Sequence, residues 1–420
     1  MAYHQNPPLA TAVPIPAQEA AGEYTISRKS TDVDESMVRA LQNQGYTRGM
    51  RYVELLQIIL SCSQSYACYK PFFLALNLMP APLLNLPGLA KSLAQNNATF
   101  PLRIWVVDNS GSMQSTDGHK IVSTAKKEHV KIVPCSRWEE IRECVNYHIQ
   151  MAALLQAPTA FRLLNHPGAG AGSQMFSIAE ADAASIPTEV ENAMSIMQRA
   201  RPGGVTPLNS HILSIHQSVS AIAPQLRAEG KKVAIILATD GLPTNEQGIY
   251  NDYVRQQFIS SLRLLEGLPV WVVIRLCTDE DDVVSFYNDL DEQLELSLEV
   301  LDDFCGEAEE VYEHNSWLNY SLPLHRMREM GYHDRLFDML DERPFTKSEL
   351  REFCTLMFGY DQMDSVPDAD ADWPGFLQAL DRLVNAEELQ WDPMKKKLKP
   401  VICTKTLNKL YGEGSACTIM

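Results

Sequence analysis

Two apolar segments constrain the fold of this chain more than any other feature, because each leads directly into an aspartate. The first is IWVV at 104–107, which is followed by Asp108. The second is VAIIL at 233–237, which is followed after Ala-Thr by Asp240. Uninterrupted apolar runs of this length are typical of parallel strands that are covered on both faces. We therefore predict an α/β fold in which both aspartates stand at the carboxyl ends of strands.

Three hydroxyl residues accompany the aspartates. Ser110 and Ser112 follow Asp108 in the pattern D-x-S-x-S, and Thr206 lies in the segment GGVTPLNS. In an open α/β sheet, ligands bind in the crevice at the carboxyl ends of the strands. Oxygen ligands of this kind suit Mg²⁺, Mn²⁺ or Ca²⁺ better than Zn²⁺. Because the three hydroxyls are neutral, a bound ion would keep residual positive charge and a position for water or for a partner's carboxylate.

The D-x-S-x-S pattern, the distant threonine and the aspartate of ATDG together resemble the metal-ion-dependent adhesion site of von Willebrand factor type A domains. The resemblance covers about residues 100–314. It implies a doubly wound, mostly parallel sheet flanked by helices, with Mg²⁺ (or Mn²⁺ or Ca²⁺) as cofactor. It also implies a protein partner that offers a Glu or Asp side chain to the metal. Carried over by position, the implied metal ligands are Asp108, Ser110, Ser112, Thr206 and Asp240.

The two motif segments also have ordinary interpretations. Asp-Asn-Ser-Gly is common turn chemistry, and TDG is a common turn at a strand end. The joint occurrence of both segments with Thr206 between them favours the metal site. The alternative is a type A fold whose site no longer holds a metal.

One departure from the family pattern affects the site. In typical members a helix follows the D-x-S-x-S loop directly, whereas here residues 114–135 intervene, and GHKIV and HVKIV within them predict a short hairpin. Ser136 with Glu139 then predicts a capping box at the start of the next helix. The insertion would either shield the site or add a contact surface.

The regions outside the type A segment have a different character. We predict a disordered tail at 1–33, a helical and apolar N-terminal segment at 34–99, a helical C-terminal domain at 315–393 and a basic tail at 394–420. Residues 71–90 carry no charge, but their four prolines argue against a transmembrane helix. We expect that stretch to pack on the main domain or to be an insertion.

Charge and cysteine usage exclude some classes of protein. The net charge of −17 argues against nucleic-acid binding, which needs a basic surface. The nine cysteines are an odd number without a CxxC pair, and the N-terminus lacks the features of a signal peptide. Both observations favour free thiols in a reducing compartment, which indicates a cytoplasmic location.

The last four residues, Cys417 to Met420, match a C-a-a-X prenylation signal of the farnesyl type. A basic stretch from Lys395 to Lys409 lies upstream. A lipid and a basic stretch together can anchor a protein peripherally on the cytoplasmic face of a membrane. The alternative is an unmodified terminus whose lysines form a solvated face.

Catalytic motifs are absent from the sequence, which has no HExxH, no GxSxG and no Walker loop. We therefore expect a binding module of the scaffold or adhesion type and not an enzyme. Two alternatives stay open. One is a phosphotransfer or hydrolytic enzyme that uses the same ion as a Lewis acid. The other is a structural subunit of a larger complex.

Overall fold

The structure is a computed structural model that describes residues 86–123 and 130–412. The predicted disordered tail, nearly all of the 34–99 segment and Cys417 lie outside the described residues. Within the two described ranges, no helix is both long and apolar enough to cross a bilayer. The cysteines there are free thiols, as predicted for this part of the chain.

A six-stranded sheet lies at the centre of the fold, and it follows a first helix, α1 (Pro87–Thr99). Its strands are β1 (Leu102–Val107), β4 (Thr159–Leu163), β5 (Met175–Ile178), β6 (Val233–Thr239), β7 (Val270–Leu276) and β8 (Leu298–Leu301). The spatial order is β5-β4-β1-β6-β7-β8. Only the β4–β5 pair is antiparallel, and the other four pairs are parallel. The predicted α/β fold with a mostly parallel sheet is therefore confirmed.

Helices cover both faces of this sheet, which explains the uninterrupted apolar runs. One face packs against α2 (Arg137–Leu154) and α3 (Ile186–Arg199). The other packs against α4 (Leu208–Ala228), α5 (Asp252–Arg263) and α6 (Asp281–Gln293). Successive side chains of a strand point to opposite faces, so both faces of β1 need apolar residues. Accordingly, Trp105 packs against the first helical layer and Ile104 against the second.

The inserted segment forms the predicted hairpin. Its strands β2 (Gly118–Ser123) and β3 (Val130–Cys135) pair antiparallel. The predicted capping box of Ser136 and Glu139 begins α2. The hairpin lies on the first turn of α2, where the backbone N–H of His119 donates to Glu140 Oε2 at 2.8 Å. The insertion is thereby held beside the sheet edge where the metal site is predicted.

A second core lies C-terminal to the sheet and includes α1. Its elements are α7 (Phe304–His314), α8 (Leu322–Glu329), α9 (Arg335–Asp338), α10 (Lys347–Phe358), α11 (Tyr360–Met363), α12 (Trp373–Ala386), β9 (Gln390–Asp392), β10 (Lys397–Lys399) and α13 (Thr404–Tyr411). Helix α1 packs closely on α10. The approach is so close that a Cβ at Gly88 would lie 2.3 Å from the carbonyl oxygen of Leu356. Most of the residues from 304 to 412 are helical.

The stretch expected as a basic tail differs from the prediction up to residue 412. It contains the short hairpin of β9 and β10 and the helix α13. Leu407 on α13 is fully buried in the second core. The lysines between 395 and 409 therefore belong to folded elements, because apolar residues between them pack into that core.

A buried ionic cluster joins the sheet domain to the second core. Glu329, on α8, accepts from Arg326 at 2.6 Å, forms an ion pair with Arg275 of β7 at 3.4 Å and is hydrogen-bonded to His148 of α2 at 3.1 Å. Burial acts to raise the pKa of Glu329, but Arg326 and His325 hold it well below its usual range. The carboxylate is therefore charged, and the two cores are linked by charges that are withdrawn from water.

Candidate metal centre

The two predicted aspartates lie side by side at one edge of the sheet. Asp108 is the first residue after β1, and Asp240 is the first residue after β6. The two strands are neighbours, and the backbone N–H of Asp108 donates to the carbonyl of Ala238 at 2.8 Å. Both aspartates are buried. The sheet thus brings together two carboxylates from distant parts of the chain.

Hydrogen bonds connect the two serines to these aspartates. The backbone N–H of Ser110 donates to Asp108 Oδ1 at 2.7 Å. The hydroxyl oxygens of Ser110 and Ser112 are 2.9 Å apart, and Ser112 donates to Asp240 Oδ1 at 2.8 Å. Four of the five predicted ligands therefore form one continuous set. Ser112 is exposed, so the set faces solvent on that side.

A buried methionine and a glycine fix the loops of this site. Met113, in the 3-10 turn Gly111–Gln114 that also contains Ser112, is fully buried in the core between the sheet and α2. In the loop before α4, Gly204 has a φ of +94°, and a Cβ there would lie 2.5 Å from Asn165 Oδ1. The carbonyl of Gly204 accepts from the N–H of Gly111 at 3.2 Å. Glycine is needed at 204 because both the backbone conformation and the close approach exclude a side chain.

Thr206, the fifth predicted ligand, lies beside Gly241, the residue that follows Asp240. Its N–H donates to Thr244 Oγ1 at 2.9 Å, and its carbonyl accepts from the N–H of Thr244, also at 2.9 Å. These bonds tie Thr206 to the loop that follows β6. The Thr206 hydroxyl lies 3.8 Å from the point where a Cβ on Gly241 would be. Thr206 is buried.

Two further residues of the site were not found from the sequence. Thr239 donates its hydroxyl proton to Asp108 Oδ2 at 2.7 Å. Arg137, at the first position of α2, donates from Nη1 to Asp240 Oδ2 at 3.1 Å and is 3% exposed. The only signal for Arg137 is its unfavourable position, because a cation at a helix N-terminus opposes the helix dipole. For Thr239, the only indication in the sequence is that it directly precedes Asp240.

Arg137 also pairs with two carboxylates at the rim of the site. It donates from Nε to Asp117 Oδ1 at 2.8 Å and from Nη2 to Glu280 Oε1 at 2.8 Å. This guanidinium holds the pKa of Asp117 below its usual range. The side chains of Asp117 and Glu280 are 52% and 62% exposed, so they face solvent. The insertion that contains Asp117 therefore adds a charged contact to the site.

The buried aspartates favour a cation. Burial, followed by the charge of Asp240, raises the pKa of Asp108 to about 6. Burial also raises the pKa of Asp240, although Ser112 and Arg137 act in the opposite direction. Asp108 accepts hydrogen bonds but makes no ion pair with any residue in the described ranges. A buried carboxylate without a counter-ion is stabilised by a bound metal.

The oxygen spacing suits a small ion. Adjacent ligands of an octahedral Mg²⁺ ion, at about 2.0–2.1 Å from the metal, lie about 2.9 Å from each other. The Ser110–Ser112 and Ser112–Asp240 separations are 2.9 and 2.8 Å. The same distances also fit hydrogen bonds, which these groups form in the absence of metal. The donor set of carboxylates and hydroxyls thus fits Mg²⁺ in both chemistry and spacing.

Comparisons with known proteins add little. No family model matches the sequence, and no curated protein matches it. One similar solved structure is a point mutant of the PilB minor pilin from Streptococcus sanguinis, at 13% identity and a TM-score of 0.32. The match covers 48% of this chain and 56% of that one, so this chain spans about half the length of the pilin chain. At that score the likeness supports no conclusion about fold or function.

Proposed function

We propose that residues 100–314 form a von Willebrand factor type A domain that binds Mg²⁺ and, through it, an acidic side chain of a protein partner. The observation that carries the proposal is the hydrogen-bonded set Asp108, Ser110, Ser112 and Asp240 at the carboxyl ends of two neighbouring parallel strands. Thr206 adjoins this set beside Gly241. The order of these residues along the chain is that of the family motif.

The site's charges suit recognition of a carboxylate. Asp108 and Asp240 would hold the ion, and the serine and threonine hydroxyls would complete its protein ligands without neutralising it. The ion, when bound, supplies a Lewis-acidic position for an incoming oxygen. Since Ser112 is exposed, a partner's Glu or Asp can approach from that side.

The experiment has two steps. Calorimetry first measures Mg²⁺ binding to the intact chain and to Asp240→Ala, with the exposed Asp252→Ala as a matched control. We expect binding to the intact chain and the control and none to Asp240→Ala. A pull-down with the three proteins, in Mg²⁺ or in EDTA, then captures partners. We expect the captured partner to bind again after purification. Its binding should depend on both Mg²⁺ and Asp240.

Two results would contradict the proposal. One is a partner that stays bound in EDTA and also binds Asp240→Ala. The other is an absence of Mg²⁺ binding by the intact chain. A change in oligomer size on metal removal, without capture of another protein, would instead support a structural subunit.

A further inference from the structure

Two asparagines outside the predicted ligand set connect the loop after β1 to the loop before α4. Asn109 lies between Asp108 and Ser110 in the first of these loops, and Asn165 is the second residue after β4. Asn109 is fully buried, and Asn165 is partly buried. Since neither belongs to the proposed ligand set, the role of their amide groups follows from the groups that they bond.

The side chain of Asn109 holds both backbone groups of Asn165. Its Oδ1 accepts from the N–H of Asn165 at 2.7 Å, and its Nδ2 donates to the carbonyl of Asn165 at 3.0 Å. The bonds continue the contact between β1 and β4, because the preceding residue, Leu164, donates its N–H to the carbonyl of Val107 at 2.9 Å. One amide thus satisfies both backbone groups of a residue that lies beyond the end of its strand.

The side chain of Asn165 holds Val205, the residue before Thr206, in the same way. Its Nδ2 donates to the carbonyl of Val205 at 2.7 Å, and its Oδ1 accepts from the N–H of Val205 at 3.3 Å. Gly204 lies so close to this amide that a Cβ there would be 2.5 Å from Asn165 Oδ1. The backbone immediately before Thr206 is therefore held against the Asn165 amide.

We propose that Asn109 and Asn165 are positioning residues that hold Thr206 where it can share a metal ion with Asp108. The inference rests on the proposed function, because that function makes Thr206 a ligand. Two consecutive amide links run from the residue after Asp108 to the residue before Thr206. On its other side, the backbone of Thr206 is bonded to Thr244. Substitution of groups that orient metal ligands typically lowers metal affinity by about 10–100-fold.

The test measures Mg²⁺ affinity by calorimetry in the full chain. Asn165→Ala removes both bonds to Val205 and should lower the affinity by about tenfold or more. Asn97→Ala is the matched control, because Asn97 is also partly buried and its amide also joins separate segments. It donates to the carbonyl of Leu155 at 3.3 Å and accepts from Arg103 at 2.9 Å. Asn97 lies before β1, whereas the metal centre follows that strand, so Asn97→Ala should leave the affinity unchanged.

A double-mutant cycle separates positioning from a merely structural role. Thr206→Val removes the proposed hydroxyl ligand and keeps the shape of the side chain. Because Asn165 acts through Thr206, Asn165→Ala should change Mg²⁺ affinity by less than about twofold in the Thr206→Val background. A general loss of stability would not depend on the Thr206 hydroxyl. Circular dichroism checks that each variant is folded, and Asn165→Ser takes the place of Asn165→Ala in the cycle if the latter is unfolded.

Three results would overturn the inference and leave the proposed function standing. One is an Asn165→Ala protein that binds Mg²⁺ as tightly as the intact chain. Another is an equal loss of affinity from Asn165→Ala with and without the Thr206 hydroxyl. The third is an equal loss of affinity in Asn97→Ala. Absence of Mg²⁺ binding by the intact chain would overturn the proposed function, and this inference with it.

Discussion

The guanidinium of Arg137 and the carboxylate of Asp240 form an ion pair at 3.1 Å, although the two residues are 103 positions apart in the sequence. Both side chains are almost completely buried. The pair puts a permanent positive charge beside the proposed Mg²⁺ ligands. It stabilises the metal-free site, because Asp240 would otherwise be a second buried carboxylate beside Asp108. It also opposes binding of a cation, since like charges repel.

Substitution of Arg137 by Gln should therefore have opposite effects on stability and on metal affinity. In EDTA, the free energy of unfolding should fall by about 2–4 kcal/mol, because a buried ion pair loses one partner. The affinity for Mg²⁺ should rise at least about fivefold, because one positive charge is removed near the ion. Urea unfolding in EDTA and calorimetry with Mg²⁺ measure the two effects.

Arg263→Gln is the control for this experiment, because Arg263 is exposed at the end of α5 and outside the site. Arg263→Gln should change neither the free energy of unfolding in EDTA nor the Mg²⁺ affinity. A lower Mg²⁺ affinity in Arg137→Gln would show that Arg137 supports the metal site and does not compete with the ion.

Ser112 offers a test of the metal site at an exposed position. Its hydroxyl is hydrogen-bonded to that of Ser110 and donates to Asp240. We expect Ser112→Ala to lower Mg²⁺ affinity about tenfold, through the loss of one neutral ligand, and to lower the free energy of unfolding in EDTA by about 1–3 kcal/mol, because a buried carboxylate loses a hydrogen bond. Ser115→Ala, at an exposed position in the same loop, should leave Mg²⁺ affinity unchanged. Equal affinities in the two variants would remove Ser112 from the ligand set.

Local patterns in the sequence were sufficient to predict much of the sheet and its edge. The apolar runs before Asp108 and Asp240 predicted buried parallel strands, because only strands with both faces covered need continuous apolar residues. Ser136 and Glu139 predicted the start of α2, since a capping box is formed by residues three positions apart. These features depend on neighbours in the chain, which a single sequence displays.

Contacts between distant residues were not predictable in this way. The pairing of Arg137 with Asp240 joins the start of α2 to the residue after β6, and no local pattern specifies it. The burial of Leu407, in a stretch expected to be a tail, depends on a core to which α1 also contributes. Lysines are so frequent in that stretch that its few apolar residues formed no recognisable helical pattern. Long-range packing therefore determined the parts of the fold that sequence reasoning missed.

Glu329 should be important for the stability of the junction between the two cores. Its carboxylate is fully buried, pairs with Arg275 and Arg326 and is hydrogen-bonded to His148. Glu329→Gln should lower the free energy of unfolding by about 3–5 kcal/mol, because two buried guanidinium groups lose their shared counter-ion. Glu352→Gln, at an exposed ion pair, should cost less than about 1 kcal/mol. Urea unfolding measures the loss of stability in the two variants. Equal losses in Glu329→Gln and Glu352→Gln would contradict a structural role for the cluster.

Asp108 should make the stability of the metal-free protein depend on pH. Its pKa is about 6 in the folded chain, against about 3.9 in an unfolded one. A raised pKa means that folding favours the protonated form, so this stabilisation is present below pH 4 and is lost as the pH rises through 6. In EDTA, we expect the free energy of unfolding, relative to Asp108→Asn, to fall by up to about 3 kcal/mol between pH 4 and pH 7. Urea titrations at each pH measure this difference, and one that is constant across the range would contradict the assignment. Saturating Mg²⁺ should remove the decrease, because the bound ion favours the charged carboxylate.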